Sequence, residues 1–250
     1  MWTAPLQHPL HLTLIKTRRV KCFWKALARR FLLGTLVTLK LALWSLSIAI
    51  LAGLLGASSK LSSHRLLRAL ATGYTTAIRS MPDLVIMLLL FFSLQMLLNR
   101  MTDWLGVSQV DIDPFLAGVV TLAFIYGAYF TETFRSAFQA VPAGQLEAAR
   151  AYGMSRWNTF RKVLFPQMLR HALPGIGNNW QVLIKSTALV SIIGLTDVVK
   201  ATQDAGKGSL QFFYFTLVGG LIYLAITTVS NGVLMWLERR YSVGVRTAAL

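Results

Sequence analysis

The sequence predicts an all-α polytopic membrane protein that crosses the bilayer five times. Of its 250 residues, 55% are hydrophobic and only 14% are charged, whereas ordinary soluble domains have about 25% charged residues. The mean hydropathy is +0.56. The apolar residues also occur in long runs, and a run of about 20 residues is long enough to cross the hydrocarbon as a helix.

The charges are strongly unbalanced, with 25 Lys and Arg against 9 Asp and Glu and a formal net charge of +16. A nucleic-acid partner could account for such an excess. These charges, however, lie at the edges of apolar runs, as they do in loops that remain on the cytoplasmic side of a membrane. We therefore expect membrane lipid, and not nucleic acid, around this chain.

Cysteine and histidine usage argues against disulfides and metal sites. Cys22 is the single cysteine, which excludes an internal disulfide and a cysteine-built metal site. The four histidines show no ligand spacing such as His-x-x-x-His; they are His8, His11, His64 and His171. We expect no bound metal.

The first predicted span covers residues 31–56 and follows a basic N-terminal extension, residues 1–30. The extension has seven Lys or Arg and no acid. A cleavable signal peptide is an alternative, but its apolar core would have only about 7–15 residues. The run 31–56 is much longer, so we expect it to remain and to span the membrane.

The second predicted span covers residues 76–98. The loop before it carries four basic residues and no acid until Asp83, which indicates the cytoplasmic side; they are Lys60, Arg65, Arg68 and Arg79. The apolar run 84–98 is short, so the span has to begin upstream of it. Pro82 then lies inside or at the start of the helix, where a kink is expected.

Three further spans are predicted at about 115–134, 178–195 and 212–237, the fourth of them interrupted. The loop 99–114 is mainly acidic and suits the outer face. Residues 135–177 have six basic residues against Glu147 alone, the strongest inside signal in the chain. Five spans then give a cytoplasmic tail, 238–250, and an outer N-terminus, although the basic extension conflicts with the latter.

A basic amphipathic segment, residues 141–166, interrupts the apolar runs. Its pattern predicts two short helices separated by Gly153, with Pro166 as the stop. In a helix over 145–152, Glu147, Arg150 and Ala151 share a face. Such a small-residue face with one acid can enter a groove on another protein, and Gly153 allows the chain to reverse. The alternative is a solvated loop without a partner.

A second candidate site lies at the start of the fourth span. Asn178 and Lys185 are seven residues apart, as are Asn179 and Ser186, so we expect these side chains and the following Thr187 to line one polar face. Polar groups at that depth should face protein or water. The Lys185 ammonium could hold the carboxylate of an amino acid. Alternatively, Lys185 pairs structurally with Glu132 or another acid.

The third candidate is Glu132, with Tyr129 and Arg135. An intramembrane carboxylate is a functional candidate by default, whereas Arg135, three residues on, is an obvious structural partner. These residues leave two functions open, a transport subunit or a membrane enzyme that uses Glu132 and Lys185 as acid and base.

The segment Glu147-Ala148-Ala149, followed by Gly153, Val163, Phe165 and Pro166, resembles the EAA loop of type I ABC importer permeases. That pattern is EAA, three residues, Gly, nine residues and Ile-x-Leu-Pro, with conservative replacements here at Val163 and Phe165. From about residue 34 to 250 the chain is similar to the polar amino acid uptake branch of that family. Phrases similar to its histidine/lysine/arginine/ornithine importers include FIYGAYFTETFR, LPGIGNNWQV and LERRYSVGV.

The resemblance implies a permease subunit in the bacterial inner membrane, with no catalysis or cofactor of its own. Its implied partners are a second, homologous permease, a cytoplasmic ABC ATPase dimer that binds ATP and Mg, and a periplasmic amino-acid-binding protein. The implied ATPase-coupling residues are Glu147, Ala148, Ala149, Arg150, Gly153 and Pro166. The nearest approach to a nucleotide-binding loop in the chain, Gly206-Lys207-Gly208, lacks both the earlier glycine and the Ser or Thr after lysine.

The chain departs from related amino acid permeases at two places in the fourth span. Those permeases often have Asn-Glu where this chain has Asn178-Asn179, and Lys-Asp where it has Lys185-Ser186. Two acids suited to a cationic side chain are therefore absent. The resemblance then implies that the partner permease supplies more of the substrate site.

Overall fold

The computed structural model describes the backbone of residues 10–241 and the side chains of residues 27–241. Every regular element in this part of the chain is helical, which confirms the predicted all-α fold class. The helices are α1 Leu10–Lys60, α2 Arg65–Arg79, α3 Asp83–Leu105, α4 Pro114–Gln139, α5 Ala143–Ala151, α6 Arg156–Thr159, α7 Phe165–Ser186, α8 Val198–Ser209 and α9 Phe212–Tyr241.

Four of these helices are long and apolar enough to cross a membrane: the Leu27–Lys60 part of α1, and α3, α4 and α9. A fifth, broken span results if the continuous helical stretch Arg156–Ile193 is joined to α8, from which it is bent by 53°. This agrees with the predicted polytopic architecture. The first nine residues of the N-terminal extension and residues 242–250 of the tail lie outside the described residues.

Helix α4 is the centre of the bundle and packs along the C-terminal half of α1, from Leu41 to Lys60. Its side chains Leu122, Tyr126 and Phe130 are fully buried within the bundle. Glycines on α1 bring the two backbones together: a Cβ on Gly53 would lie 2.4 Å from Phe130 Cβ, and one on Gly56 would lie 2.2 Å from Thr131 Oγ1. Small residues have this role wherever two helices approach closely in lipid.

The second span begins later than the sequence predicted. Helix α2 ends at Arg79 and α3 begins at Asp83, so the expected continuous helix over 76–98 is wrong. Pro82 has extended backbone angles, φ −61° and ψ 134°, and is the N-cap of α3. Proline has no N–H for the helical ladder and disfavours the α conformation of the residue before it, so the chain breaks here instead of kinking within one helix.

Residues 135–177 are mainly helical and not a loop. Helix α4 continues to Gln139, and the two short helices predicted on either side of Gly153 are α5 and α6. The expectation that Pro166 stops the second of them is wrong. From α6 the chain passes through a π-helical turn, Phe160–Leu164, directly into α7. Pro166 directly follows the π turn, and the changed hydrogen-bond ladder of that turn accommodates the missing N–H of the proline.

The fourth span therefore begins near Phe165, well before the predicted residue 178. After Ser186 it narrows to a 3-10 helix, Thr187–Ile193, which ends at Gly194 with φ +102°. Asp197 then caps α8 by accepting a hydrogen bond of 2.9 Å from the backbone N–H of Lys200. The break between the stretch Arg156–Ile193 and helix α8 thus consists of a glycine in the left-handed conformation followed by a new N-cap.

The two ends of the bundle differ in charge. The C-terminal ends of α1, α4 and α9 lie with α5, and this end of the bundle is called the α5 end. Its basic residues outnumber its acids; they are Lys60, Arg65, Arg68, Arg135, Arg150, Arg156, Arg161, Lys162, Arg170, Arg239 and Arg240, against Glu132, Glu147 and Glu238. Among the described side chains, the opposite end holds five aspartates, Asp103, Asp111, Asp113, Asp197 and Asp204, balanced by five basic residues, Arg29, Arg30, Arg100, Lys200 and Lys207. This asymmetry is the one that the positive-inside rule describes.

Candidate coupling and translocation sites

Helix α5 ends in a complete Schellman motif around Gly153. The Gly153 N–H donates to the Arg150 carbonyl at 2.9 Å, and the Met154 N–H donates to the Ala149 carbonyl at 3.1 Å. Gly153 has φ +76°, the left-handed conformation that this motif requires. The chain consequently reverses between α5 and α6, as the sequence predicted for this glycine.

The EAA segment lies on α5 with most of its surface exposed. Glu147, Ala148, Arg150 and Ala151 are exposed, while Ala149 is buried at 7% relative accessibility. Glu147 and Arg150 form no ion pair with any residue that the structure describes. The helix therefore offers an acid, a base and small side chains to a partner.

Two aromatic residues beside α5 were missed by the sequence reasoning. Tyr152 is 89% exposed and Trp157 is 67% exposed, and the Trp157 ring stacks on Phe160 with ring centroids 5.8 Å apart. Large aromatic side chains are typical anchors in protein interfaces. The sequence does contain a signal for them, because large aromatic residues on either side of Gly153 are unusual in a basic segment outside the apolar runs.

We expect Gly153→Ala to weaken the α5 turn by about 1 kcal/mol, because an alanine in the left-handed region is strained by roughly that amount. A Cβ at Gly153 meets no atom within 4 Å, so the cost is purely conformational. Gly144→Ala is the matched control: Gly144 also has open space around its Cβ position, but it is helical and gains about 1 kcal/mol of helix propensity. Hydrogen exchange of the α5 amides should increase in the first variant only; equal protection in both would contradict the assignment.

Glu132 is part of an ion-pair cluster at the α5 end. Lys60 Nζ donates to Glu132 Oε1 and, at 2.8 Å, to Thr75 Oγ1. Arg135 Nε donates to Glu132 Oε2 at 3.0 Å. The expected Arg135 contact is therefore present, but the more buried partner is Lys60, 72 residues away in sequence. The cluster joins α1, α2 and α4.

Tyr129 lies between charged and aromatic groups one turn before Glu132. Its ring stacks on Tyr126, with centroids 5.6 Å apart, and the Arg79 guanidinium lies over the Tyr129 ring at 5.6 Å from the ring centroid. An open cavity of about 360 Å³ adjoins this ring and is lined by Thr75, Thr76, Arg79, Ser80, Tyr129 and Glu132.

The polar face predicted on the fourth span divides into two. Asn179 is buried and donates to Thr133 Oγ1 at 3.0 Å, and Ser186 Oγ is 2.6 Å from Tyr126 OH, so both side chains contact α4. Asn178 and Lys185 are exposed. The single face was wrong because neighbouring helix residues are rotated by about 100°, which separates Asn178 from Asn179.

Lys185 forms no ion pair within the described part of the chain, so the alternative that it pairs with Glu132 or another acid is wrong for these residues. Thr187, two residues after Lys185, is fully buried, and its hydroxyl lies 3.3 Å from Tyr223 OH. Asn178 lies at the edge of a groove of about 230 Å³ between α7 and α9, which is also lined by Gln181, Asn231 and Glu238.

An intramembrane carboxylate that the sequence reasoning passed over is Asp83. Tyr126 OH lies 3.0 Å from Asp83 Oδ2, to which it donates, and the same hydroxyl is within 2.6 Å of Ser186 Oγ. Asp83 thus joins α3 to α4 and α7. The signal was present, since Asp83 stands alone between Pro82 and a long apolar run.

A bundle of four or five helices that can cross a membrane, with an exposed short helix at its basic end, has the architecture of one class of protein, the membrane-embedded transport permeases. The chain belongs to the family of binding-protein-dependent transport system inner membrane components, whose sequence profile matches residues 48–243. An EAA segment on a short coupling helix is typical of this family.

Named relatives agree with this assignment. The chain is 62% identical over 217 residues to the histidine/lysine/arginine/ornithine transport system permease protein HisQ of Escherichia coli (strain K12), covering 87% of this chain and 95% of the relative. It is 38% identical over 214 residues to the octopine transport system permease protein OccQ of Rhizobium radiobacter, covering 85% and 90%.

A solved structure, described as the crystal structure of an amino acid ABC transporter with histidines, matches with a TM-score of 0.72 at 30% identity. The match covers 96% of this chain and all of that chain. The chain is thus a transport permease and not an enzyme. Glu132, one of the two residues in the enzyme alternative, is bound to Lys60 and Arg135.

Proposed function

We propose that this chain is one of two homologous permease subunits of an ATP-driven importer that carries basic and polar amino acids, of the histidine, lysine, arginine and ornithine type, across the bacterial inner membrane. The observation that carries the proposal is the exposed α5 helix with its EAA sequence, ended by the Gly153 turn. The identity to a permease of that named specificity supports the substrate class.

In this proposal α5 seats in a groove of a cytoplasmic ABC ATPase, which binds ATP and Mg. Glu147 and Arg150 supply charges to the contact, Ala148 supplies a flat exposed surface and the buried Ala149 fixes α5 against the following helix. Pro166 lies in the first turn of α7, so α6, the π turn and α7 form one rod that can carry movement from the ATPase into the bundle.

The proposed orientation has the α5 end and the C-terminus in the cytoplasm. The excess of arginine and lysine at that end supports it. The opposite end, where acids and bases are balanced, then faces the periplasm, where the binding protein delivers its amino acid.

The proposed substrate path follows the polar groups of α4 and α7. Asn178 and Lys185 are exposed on α7 and face the path or the partner permease, while Asn179, Ser186 and Thr187 hold α7 against its neighbours. On α4, Tyr129 adjoins the open cavity, and Glu132 fixes the base of that cavity to α1.

The test is uptake of radiolabelled histidine, lysine, arginine and ornithine into proteoliposomes that contain the whole complex, with ATP on the ATPase side. We expect Lys185→Ala to reduce uptake of all four by roughly tenfold, because the exposed Lys185 ammonium can form a charged hydrogen bond to the common α-carboxylate at one stage of its passage along α7, and such a bond contributes about 1.5 kcal/mol or more. The ATPase should remain bound. Lys207→Ala, an exposed lysine on α8, is the matched control. Undiminished uptake by the Lys185 variant would contradict its placement in the path.

A further inference from the structure

The break between α2 and α3 places two opposite charges close together in sequence and leaves them unpaired with each other. Arg79 is the last residue of α2 and Asp83 is the first residue of α3. On a continuous helix these residues, four apart, would form an ion pair. The extended backbone at Pro82 separates them, and neither side chain forms an ion pair with any other residue in the described part of the chain.

Asp83 lies deep in the bundle. Its hydrogen-bond donor, Tyr126, is halfway along the 26-residue helix α4 and is 1% exposed. A carboxylate at such a depth is costly unless it is paired or serves a function. Glu132, the other acid on this side of α4, is neutralised by Lys60 and Arg135. Asp83 has a neutral hydroxyl as its partner and is half-buried, so a cation can still reach it.

Arg79 and Tyr129 complete the surroundings on the open side. The Arg79 guanidinium rests over the Tyr129 ring, and both residues line the cavity of about 360 Å³. The Tyr129 ring stacks in turn on Tyr126, whose hydroxyl holds Asp83. An anion, a cation and an aromatic surface are thus arranged around one pair of stacked rings, with the cavity on the side of Arg79 and Tyr129.

We propose that Asp83, Arg79 and Tyr129 form a binding site for an amino acid with a cationic side chain, at the break between α2 and α3. Asp83 receives the cationic side-chain group, and the Arg79 guanidinium binds the α-carboxylate, for which its forked donors are suited. The exposed part of the Tyr129 ring contacts the aliphatic portion between the two charges. This proposal rests on the proposed function. It identifies Asp83 as the residue of this subunit that selects for a positively charged side chain.

The charges of the ligand explain why the two residues are kept apart. A dipolar amino acid with a long cationic side chain carries an anionic and a cationic end separated by several bonds. A direct Arg79–Asp83 ion pair would close the site, since each group would neutralise the other. The proline break prevents that pairing and leaves both charges available.

The test compares arginine with citrulline, which has a side chain of nearly the same shape but no charge. Equilibrium dialysis measures the Kd of each on the purified complex of both permeases and the ATPase, without nucleotide or binding protein. We expect Asp83→Asn to raise the arginine Kd about tenfold or more, because a charged hydrogen bond contributes about 1.5–3 kcal/mol, and to leave the citrulline Kd within about twofold. Arg79→Gln should raise both values. Asp103→Asn, at an exposed acid of α3, is the control and should change neither.

A purely structural role for Asp83 predicts a different pattern. In that case Asp83→Asn would weaken arginine and citrulline equally, or weaken neither, and either result would overturn the site. Failure of arginine to bind the unaltered complex would overturn the proposed substrate class together with the site. If the unaltered complex binds arginine and the Asp83→Asn variant binds it with the same Kd, the site is overturned but the proposed substrate class stands.

Discussion

Reversal of the charge at Glu147 should abolish coupled transport and leave the membrane bundle intact. Glu147 is exposed on α5 and forms no ion pair with any residue that the structure describes, so Glu147→Arg removes no described ion pair from the bundle itself. If α5 enters a groove of the ATPase, the substitution places a positive charge opposite ATPase groups that fit a negative one. Charged interface pairs contribute about 2–5 kcal/mol, so we expect a loss of about 30-fold or more in ATPase affinity.

The measurement is the Kd between the purified permease pair and the ATPase, together with ATP-driven uptake. Asp103→Arg is the matched control, since it makes the same charge reversal at an exposed acid near the opposite end of the bundle. It should bind the ATPase normally. ATPase affinity and uptake that are unchanged in Glu147→Arg would show that α5 is a solvated segment without a partner.

Neutralising Glu132 should destabilise the bundle strongly. Lys60 and Glu132 have side chains only 10% and 19% exposed, so the pair is largely removed from water. Glu132→Gln leaves the Lys60 ammonium in that position without a counter-ion, and breaking a buried pair in this way costs about 3 kcal/mol. We expect the unfolding temperature of the purified complex to fall, and the loss of uptake to follow from the loss of folded protein.

A double variant separates this structural role from a direct role in the path. In Lys60→Met with Glu132→Leu, no buried charge is left unpaired, and Arg135, which is 38% exposed, can turn its head group to water. Thermal stability should largely return in the double variant. A Glu132→Gln protein with normal stability and no uptake would instead assign Glu132 to the substrate.

The fold class, the helical character of the long apolar runs and the turn at Gly153 could all be predicted, because hydropathy and a glycine at a helix end act locally. The two prolines were harder to interpret. Pro82 ends one helix completely, whereas Pro166 is accommodated by the π turn Phe160–Leu164. The outcome at a proline depends on whether the neighbouring turn can adjust its hydrogen bonds, which a single sequence does not reveal.

The candidate sites show the same division between local and distant contacts. The contact between Glu132 and Arg135, which are three residues apart, was predicted. Lys60, the other partner of Glu132, lies on α1 and is 72 residues earlier in the sequence. Ser186 was expected on an open polar face but is 2.6 Å from Tyr126 OH on α4. Contacts of this kind are decided by how α1, α4 and α7 pack, and no periodicity within one helix encodes them.

The most direct test of the coupling account is photo-crosslinking from α5 itself. A benzoylphenylalanine residue replaces Ala148, which is exposed on α5, and the assembled transporter is irradiated in the membrane. The same replacement at Lys207, exposed on α8 at the other end of the bundle, is the control. The account predicts a covalent adduct with the ATPase from position 148 and none from position 207. An adduct from 207, or the absence of one from 148 in a complex that still hydrolyses ATP and transports, would contradict it.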